Sequence, residues 1–284
     1  MKCLVTGNGG FIGSHLTDYL LDLGHEVIGV DNFLTGDLKN VQERVNFYFT
    51  DIRSLDTMKI IFNREKPDWV FHLAANPRTF LSVEDPLLNH TINIDGTLNV
   101  LLAAREANVK KVIFASSCIL YSPNTPYYVS KLTGEEYMKV FSSLYGVKTI
   151  SLRYSNVYGS LRQSEKGSHI NALASLHKSK RAIGRIWLTG DGKQTRDWTH
   201  VTDIARANLL AAESTAEGVF DICTGVQTSM NTIAKYFDCP IDYIADQLGD
   251  AKHLSVSQDP IPAKDAFKYT YEIPLNEESI KPYL

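Results

Sequence analysis

No run of apolar residues in this chain approaches the ~20 needed to cross a bilayer, and the opening MKCLVTG is shorter than the apolar core of a secretory signal. The expectation is therefore a cytoplasmic protein. Cysteine is scarce: Cys3, Cys118, Cys223 and Cys239 lie far apart with no CxxC spacing, which argues against a zinc motif and against a disulfide framework. Reduced thiols and no metal are expected. Positive charge is not in excess either, since 29 Lys and Arg face 32 Asp and Glu. Nucleic acid is not an expected partner, although a local Arg or Lys can still hold a small anion. Internal repeats and low-complexity linkers are also missing.

What is present is alternation. KCLVTG, EVIGVD, DWVFHLAA and KKVIFASS read as β-rich apolar runs, and IGSHLTDYLLDLG and NIDGTLNVLLAAREAN have helical spacing. Strand and helix in turn imply right-handed crossovers and a parallel sheet, hence an α/β fold with a Rossmann-type doubly wound sheet. The rhythm breaks after VKTISLRYSNVYG. The expected division is a dinucleotide-binding domain over 1–160, with a returning segment near 186–212, and a smaller substrate-binding lobe over 161–284. The tail from Asp259 is rich in Pro and Tyr and weakly patterned.

TGNGGFIGSH places Gly7, Gly10 and Gly13 between a strand and a helix. Glycines there let the backbone turn tightly and approach a pyrophosphate, whose charge meets the helix N-terminus. Asp31 closes EVIGVD eighteen residues beyond Gly13, where a carboxylate accepts hydrogen bonds from an adenosine ribose and repels a 2'-phosphate. NAD is expected over NADP. Asp51, just after NFYFT at another strand end, is placed to hold the adenine amino group.

These motifs occur together with HLAAN, NIDGTLNVL, a YxxxK at Tyr127 and Lys131, LRYSNVYG and GDGKQTRDW, in the order seen in extended short-chain dehydrogenases/reductases. Over about residues 1–230 the chain resembles the NAD-dependent nucleotide-sugar epimerase/dehydratase family and is similar to its UDP-glucose 4-epimerases. The resemblance implies that Phe11, Ile12, Asp31, Asn32, Asp51, Ile52, Ala74 and Lys131 contact the cofactor. It also implies that helices near 96–107 and 128–145 form a homodimer interface; their apolar stripes fit internal packing equally.

SSCILYSPNTPYYVSK, residues 116–131, raises the question of chemistry. Oxidation of a sugar hydroxyl needs a base. A tyrosine titrates at about 10, and a lysine ammonium one turn away, with a cationic nicotinamide, lowers it toward neutrality. Tyr127 and Lys131 stand at i, i+4 on one helix face, whereas Tyr128 pairs with Leu132. The resemblance places the partner serine at Ser117, with Ser116 in reserve. Cys118 and Ile119 stand where family dehydratases carry Asp-Glu, which argues against 4,6-dehydration. SSCI also resembles a 3,5-epimerase branch in which the cysteine acts with a histidine, here His169; a small buried hydrophobe is the alternative for Cys118.

For a nucleoside diphosphate the resemblance offers Arg196 and Asn156, with Arg162 as a second cation and Asn76, Pro77 and Arg78 on the sugar side. Gln247 stands where the family carries an arginine, and Asp250 remains, which leaves the nucleotide base open. Only nine residues separate Ser117 from Tyr127, where relatives usually carry a longer loop. The expected function is a nucleotide-sugar epimerase that inverts C4 of a UDP-sugar through a 4-keto intermediate. The alternatives are a 3,5-epimerase, an oxidative decarboxylase or dehydratase, and a catalytically impaired NAD-binding scaffold.

Overall fold

The computed structural model describes residues 1–122, 125–162, 171–245 and 259–284. In the first half the strands are β1 (Lys2–Thr6), β2 (Glu26–Asp31), β3 (Asn46–Phe49), β4 (Trp69–His72), β5 (Lys111–Ser117) and β6 (Thr149–Tyr154). Helices α1 (Phe11–Asp22), α2 (Leu55–Glu65), α3 (Thr79–Glu84), α4 (Pro86–His90), α5 (Gly96–Glu106) and α6 (Pro126–Tyr145) connect them. There follow β7 (Asn156–Tyr158), α7 (Ala172–Ile183), β8 (Ile186–Thr189), β9 (Thr195–His200), α8 (Val201–Glu213) and β10 (Gly218–Ile222). The last elements are β11 (Gln227–Ser229), α9 (Met230–Lys235), β12 (Ile241–Ile244), α10 (Ile261–Phe267) and α11 (Glu277–Ile280).

Seven strands form one sheet in the order β10-β6-β5-β4-β1-β2-β3, and every neighbouring pair is parallel. The period-two geometry of a strand divides the core between two faces. Cys3 and Val5 join Leu16, Leu20, Phe71, Ile113 and Ile204 on the side of α1 and α8, whereas Leu4 joins Ile28, Met58, Phe62, Val70 and Phe141 on the side of α2, α5 and α6. Both faces being covered explains why the strands read as nearly continuous apolar runs. Strand order reverses between β1 and β4, and the crevice at the carboxyl ends of these two strands is where such sheets bind ligands.

Helix α6 starts where its sequence directs. Thr125 caps it by accepting from the Tyr128 amide (3.2 Å), Pro126 occupies the first turn, and Gly146 ends it with φ +68°. No described helix is long and apolar enough to cross a membrane.

The smaller lobe carries the sheet β11-β9-β7 and the pair β12-β8 around Tyr158, Leu173, Ile186, Trp198, Phe237 and Tyr283. Of the segment expected to return near 186–212, β8 stays in the lobe and α8 packs on α1; the seventh strand is β10, beyond that segment and within the stretch expected to belong to the lobe. The weakly patterned tail is docked, because Ala263, Phe267 and Tyr269 enter the main core and Ile280 and Tyr283 the lobe core. Isolated aromatic anchors carry no periodicity, so this docking leaves no local pattern.

Candidate active site

The turn after β1 brings α1 hard against the sheet. Gly7 has φ +75°, and a Cβ on it would lie 2.8 Å from the Ala74 amide nitrogen; a Cβ on Gly13 would lie 2.1 Å from the Gly7 carbonyl oxygen. Only glycine fits at either place. Gly10 caps α1 without a side chain, so the first turn keeps its amide donors for a ligand. A cavity of ≈ 210 Å³ opens there, lined by Gly7, Gly10, Phe11, Ile12, Gly13, Asp31, Asn32, Asp51, Ile52, Ala74, Tyr127 and Lys131. All eleven residues expected at a cofactor are thus around one cavity.

Asp31 is held in place by amides: Oδ2 accepts from the Gly9 amide (2.9 Å) and Oδ1 from the Phe33 amide (2.7 Å). Asp51 is bound by Arg53 (2.8 and 3.0 Å) and by the Asn32 amide group (2.7 Å). Burial works to raise the Asp51 pKa, but these donors outweigh it and hold the group below the usual carboxylate value.

Lys131 is 4% exposed; its Nζ donates to the Ala115 carbonyl (2.7 Å), 4.9 Å above the Phe114 ring and 5.8 Å from the centre of the Tyr127 ring. Burial lowers its pKa to about 8, opposed by the charge of Glu135. Tyr127, 7% exposed, has its backbone amide on Ser82 Oγ (3.1 Å), and it lines the second cavity together with Ser117. Burial pushes the Tyr127 hydroxyl well above its ordinary value, and Ser117 only partly offsets this. A lysine anchored to β5 does not by itself overcome that desolvation.

The serines separate by partner. Ser116 Oγ donates to Glu135 Oε1 (2.5 Å) and is buried, whereas Ser117 lies at the head of the 3-10 turn Cys118–Tyr121 and accepts from the Ile119 amide (3.2 Å). Tyr128 lines neither cavity among the described residues. Cys118 is buried and its thiol is pushed up to about 12. Only about one molecule in 10⁵ would carry the thiolate at pH 7, which favours the small core hydrophobe over an acid/base group.

A second cavity of ≈ 490 Å³ is lined by Ser117, Cys118, Arg78, Asn156, Trp187 and Arg196. Tyr127 lines both cavities, as do Phe11, Ile12, Pro77 and Ser116, so the two meet at the tyrosine. Arg196 and Trp198 share one face of β9, and Asn156 Nδ2 donates to the Asp197 carbonyl (3.3 Å).

A family model for the NAD dependent epimerase/dehydratase family matches residues 3–223. The chain belongs to that family. A putative UDP-glucose 4-epimerase of Methanocaldococcus jannaschii is 39% identical over 81% of this chain and 79% of its own length. Among solved structures, the UDP-glucose 4-epimerase of Thermotoga maritima with UDP-glucose superposes with a TM-score of 0.94 at 34% identity, covering 100% of this chain and 97% of that one. That of Thermus thermophilus in complex with NAD gives 0.90 at 30% identity, covering 100% and 99%. NAD is the cofactor of the family, and the glycine cradle that a Cβ would fill, the uncapped α1 terminus and Asp31 fit it.

Two of the expected substrate residues of this family member lie elsewhere. Arg162 lines neither cavity; its guanidinium is bound to Asp18 (2.6 Å) on α1, because the chain after β7 runs back over that helix. Asn76 is buried behind the wall, its backbone held in both directions by the side chain of Asn93 (2.7 and 3.1 Å). His169, Gln247 and Asp250 lie outside the described residues. The reading missed Asn171, which lines both cavities, and Asn93, whose side chain also donates to Asn89 (2.9 Å) and Ser130 (3.1 Å). The NIDGTLNV motif contains Asn93, but nothing local distinguishes a buried hub from a helix-surface asparagine.

Proposed function

We propose that the protein is an NAD-dependent nucleotide-sugar epimerase that inverts C4 of a UDP-linked sugar through a transient 4-keto intermediate. The observation that carries this reading is that a cofactor cavity and a larger second cavity meet at Tyr127. Relatives that bind UDP-glucose and UDP-glucuronic acid support the UDP-linked class.

When bound, NAD supplies a reversible two-electron acceptor beside the sugar carbon. Tyr127 takes the proton from the C4 hydroxyl and gives it back after the keto sugar has turned over. Ser117 shares that proton's hydrogen bond and steadies the developing negative charge on oxygen. The Lys131 ammonium favours the phenolate of Tyr127. Arg196 and Asn156 hold the nucleotide diphosphate, leaving the sugar free to rotate, and Arg78 lies on the sugar side. The short 118–126 connection leaves that cavity roomy.

The same proposal includes a homodimer and a cytoplasmic location. Leu87, Val129, Leu132, Val140 and Leu144 form an exposed apolar set on α4 and α6, and all four cysteines are free thiols. Incubation of purified protein with UDP-glucose, UDP-galactose, UDP-N-acetylglucosamine and UDP-glucuronic acid, with products resolved by proton NMR, tests the reading. The expected result is the C4 epimer of at least one. No C4 epimer from any, or a product that has lost CO₂, overturns it.

A further inference from the structure

Behind the proposed base runs a buried charged chain that the reaction as described does not use. Glu135, 4% exposed, stands one turn beyond Lys131 on α6. Its Oε1 accepts from Ser116 Oγ (2.5 Å) and Arg153 Nε (2.8 Å), and its Oε2 from Arg153 Nη2 (2.7 Å). Arg153, on β6, also donates to Tyr121 Oη (3.3 Å), which in turn donates to Asp221 on β10 (2.7 and 2.9 Å).

Two juxtapositions give this chain a direction. Lys131 and Glu135 bind consecutive residues of β5, the lysine through the Ala115 carbonyl and the glutamate through the Ser116 hydroxyl. At the other end Tyr121 closes the turn Cys118–Tyr121, whose first cap is Ser117. One guanidinium–carboxylate pair therefore ties together the helix that carries Lys131 and the turn that carries Ser117, the two partners of Tyr127. Stability alone is a poor reason for it, because a buried ion pair is often matched or surpassed by well-packed apolar residues.

We propose that Glu135 is a positioning residue of this active site, which holds the Lys131 ammonium charged and in place against β5 through its bonds to Ser116 and Arg153. This rests on the reading of Tyr127 and Lys131 as the proton-transfer pair. The groups that face Lys131 are Tyr127 and Glu135 from its own helix, Phe114 and Ala115 from β5, and His72 from β4. His72 is neutral, its pKa pushed down to about 3 by burial. Glu135 is thus the anion among them.

The test is the dependence of turnover on pH, with whichever UDP-sugar the protein epimerises as probe and NAD binding followed by calorimetry. Lys131 titrates at about 8 beside Glu135, and loss of a neighbouring opposite charge moves such a group by about one unit. Glu135→Gln should therefore turn over about fivefold more slowly than wild type at pH 8 and nearly equally at pH 6. Glu135→Asp should restore the wild-type profile in part. Because Glu135→Gln strands a buried Arg153 and can fail to fold, Glu135→Gln/Arg153→Met, which removes that guanidinium together with its carboxylate, is the deciding variant. A shifted basic limb in it supports the proposal, and a wild-type profile overturns it. Lys131→Met is the control: if it leaves turnover intact, the reading of the site falls and this proposal with it.

Discussion

Ser117 and Tyr127 are separated by nine residues in the chain and line the same second cavity, where Ser117 offsets part of the burial that raises the Tyr127 pKa. Removing the phenol hydroxyl deletes the proton-transfer atom and little packing. Tyr127→Phe should lower turnover by about 10² to 10⁴ with NAD still bound, Ser117→Ala by about ten- to a hundredfold, and Tyr128→Phe hardly at all. Steady-state rates and calorimetry on the three variants check this; a nearly active Tyr127→Phe would remove the mechanism.

Discrimination between cofactors should reside at Asp31. Its carboxylate is fixed by the Gly9 and Phe33 amides at the end of β2, where its charge would oppose a 2'-phosphate. NAD should bind at least about tenfold more tightly than NADP, and Asp31→Asn should narrow the ratio by weakening the repulsion. Equal affinities in the wild-type protein would contradict the assignment.

The buried thiol of Cys118 sets a third expectation. With its pKa at about 12 it exchanges protons poorly near neutrality. Turnover in heavy water should leave sugar C3 and C5 free of deuterium, and Cys118→Ser should change the rate by less than about tenfold. Solvent deuterium at either carbon, lost in that variant, would restore the 3,5-epimerase.

Acid stability should depend on His72. Thr97 Oγ1 donates to the Asn93 carbonyl and so accepts from His72 Nε2 (2.9 Å), while Thr6 Oγ1 donates to Nδ1 (2.8 Å). A second ring proton has nowhere to go, and burial lowers the pKa from 6.5 to about 3. The unfolded chain therefore binds the proton more readily, and this stability is present above pH 6.5 and lost as pH falls toward 3. At pH 4.5 the loss amounts to about 3 kcal/mol. Urea unfolding of wild type and His72→Gln at pH 7 and 4.5 should show the steeper decline in wild type.

The parts of the molecule legible in the sequence are those whose physics is local. Gly7, Gly13 and Asp31 announce themselves because a tight turn, a helix start and a strand-end acid lie within thirty residues, and Tyr127 and Lys131 because i, i+4 places both on one face. Contacts that join distant segments left no such trace. Glu135 meets Arg153 from another strand, Arg162 turns away to Asp18 nearly the whole Rossmann unit earlier, and Tyr283 docks on the loop at Gly159 and Ser160. The burial that raises the Tyr127 pKa is likewise a property of the assembled fold, whereas the lysine is visible in the motif.

Helix α6 carries Tyr127, Lys131 and Glu135 toward the sheet and Val129, Leu132, Val140 and Leu144 outward. As a rigid rod with about 100° between successive residues, it has a single phase that satisfies both sides. A one-residue insertion between Tyr127 and Lys131 would swing the lysine off β5 and turn the outer apolar stripe by the same angle. Insertions and deletions within this helix are therefore penalised twice.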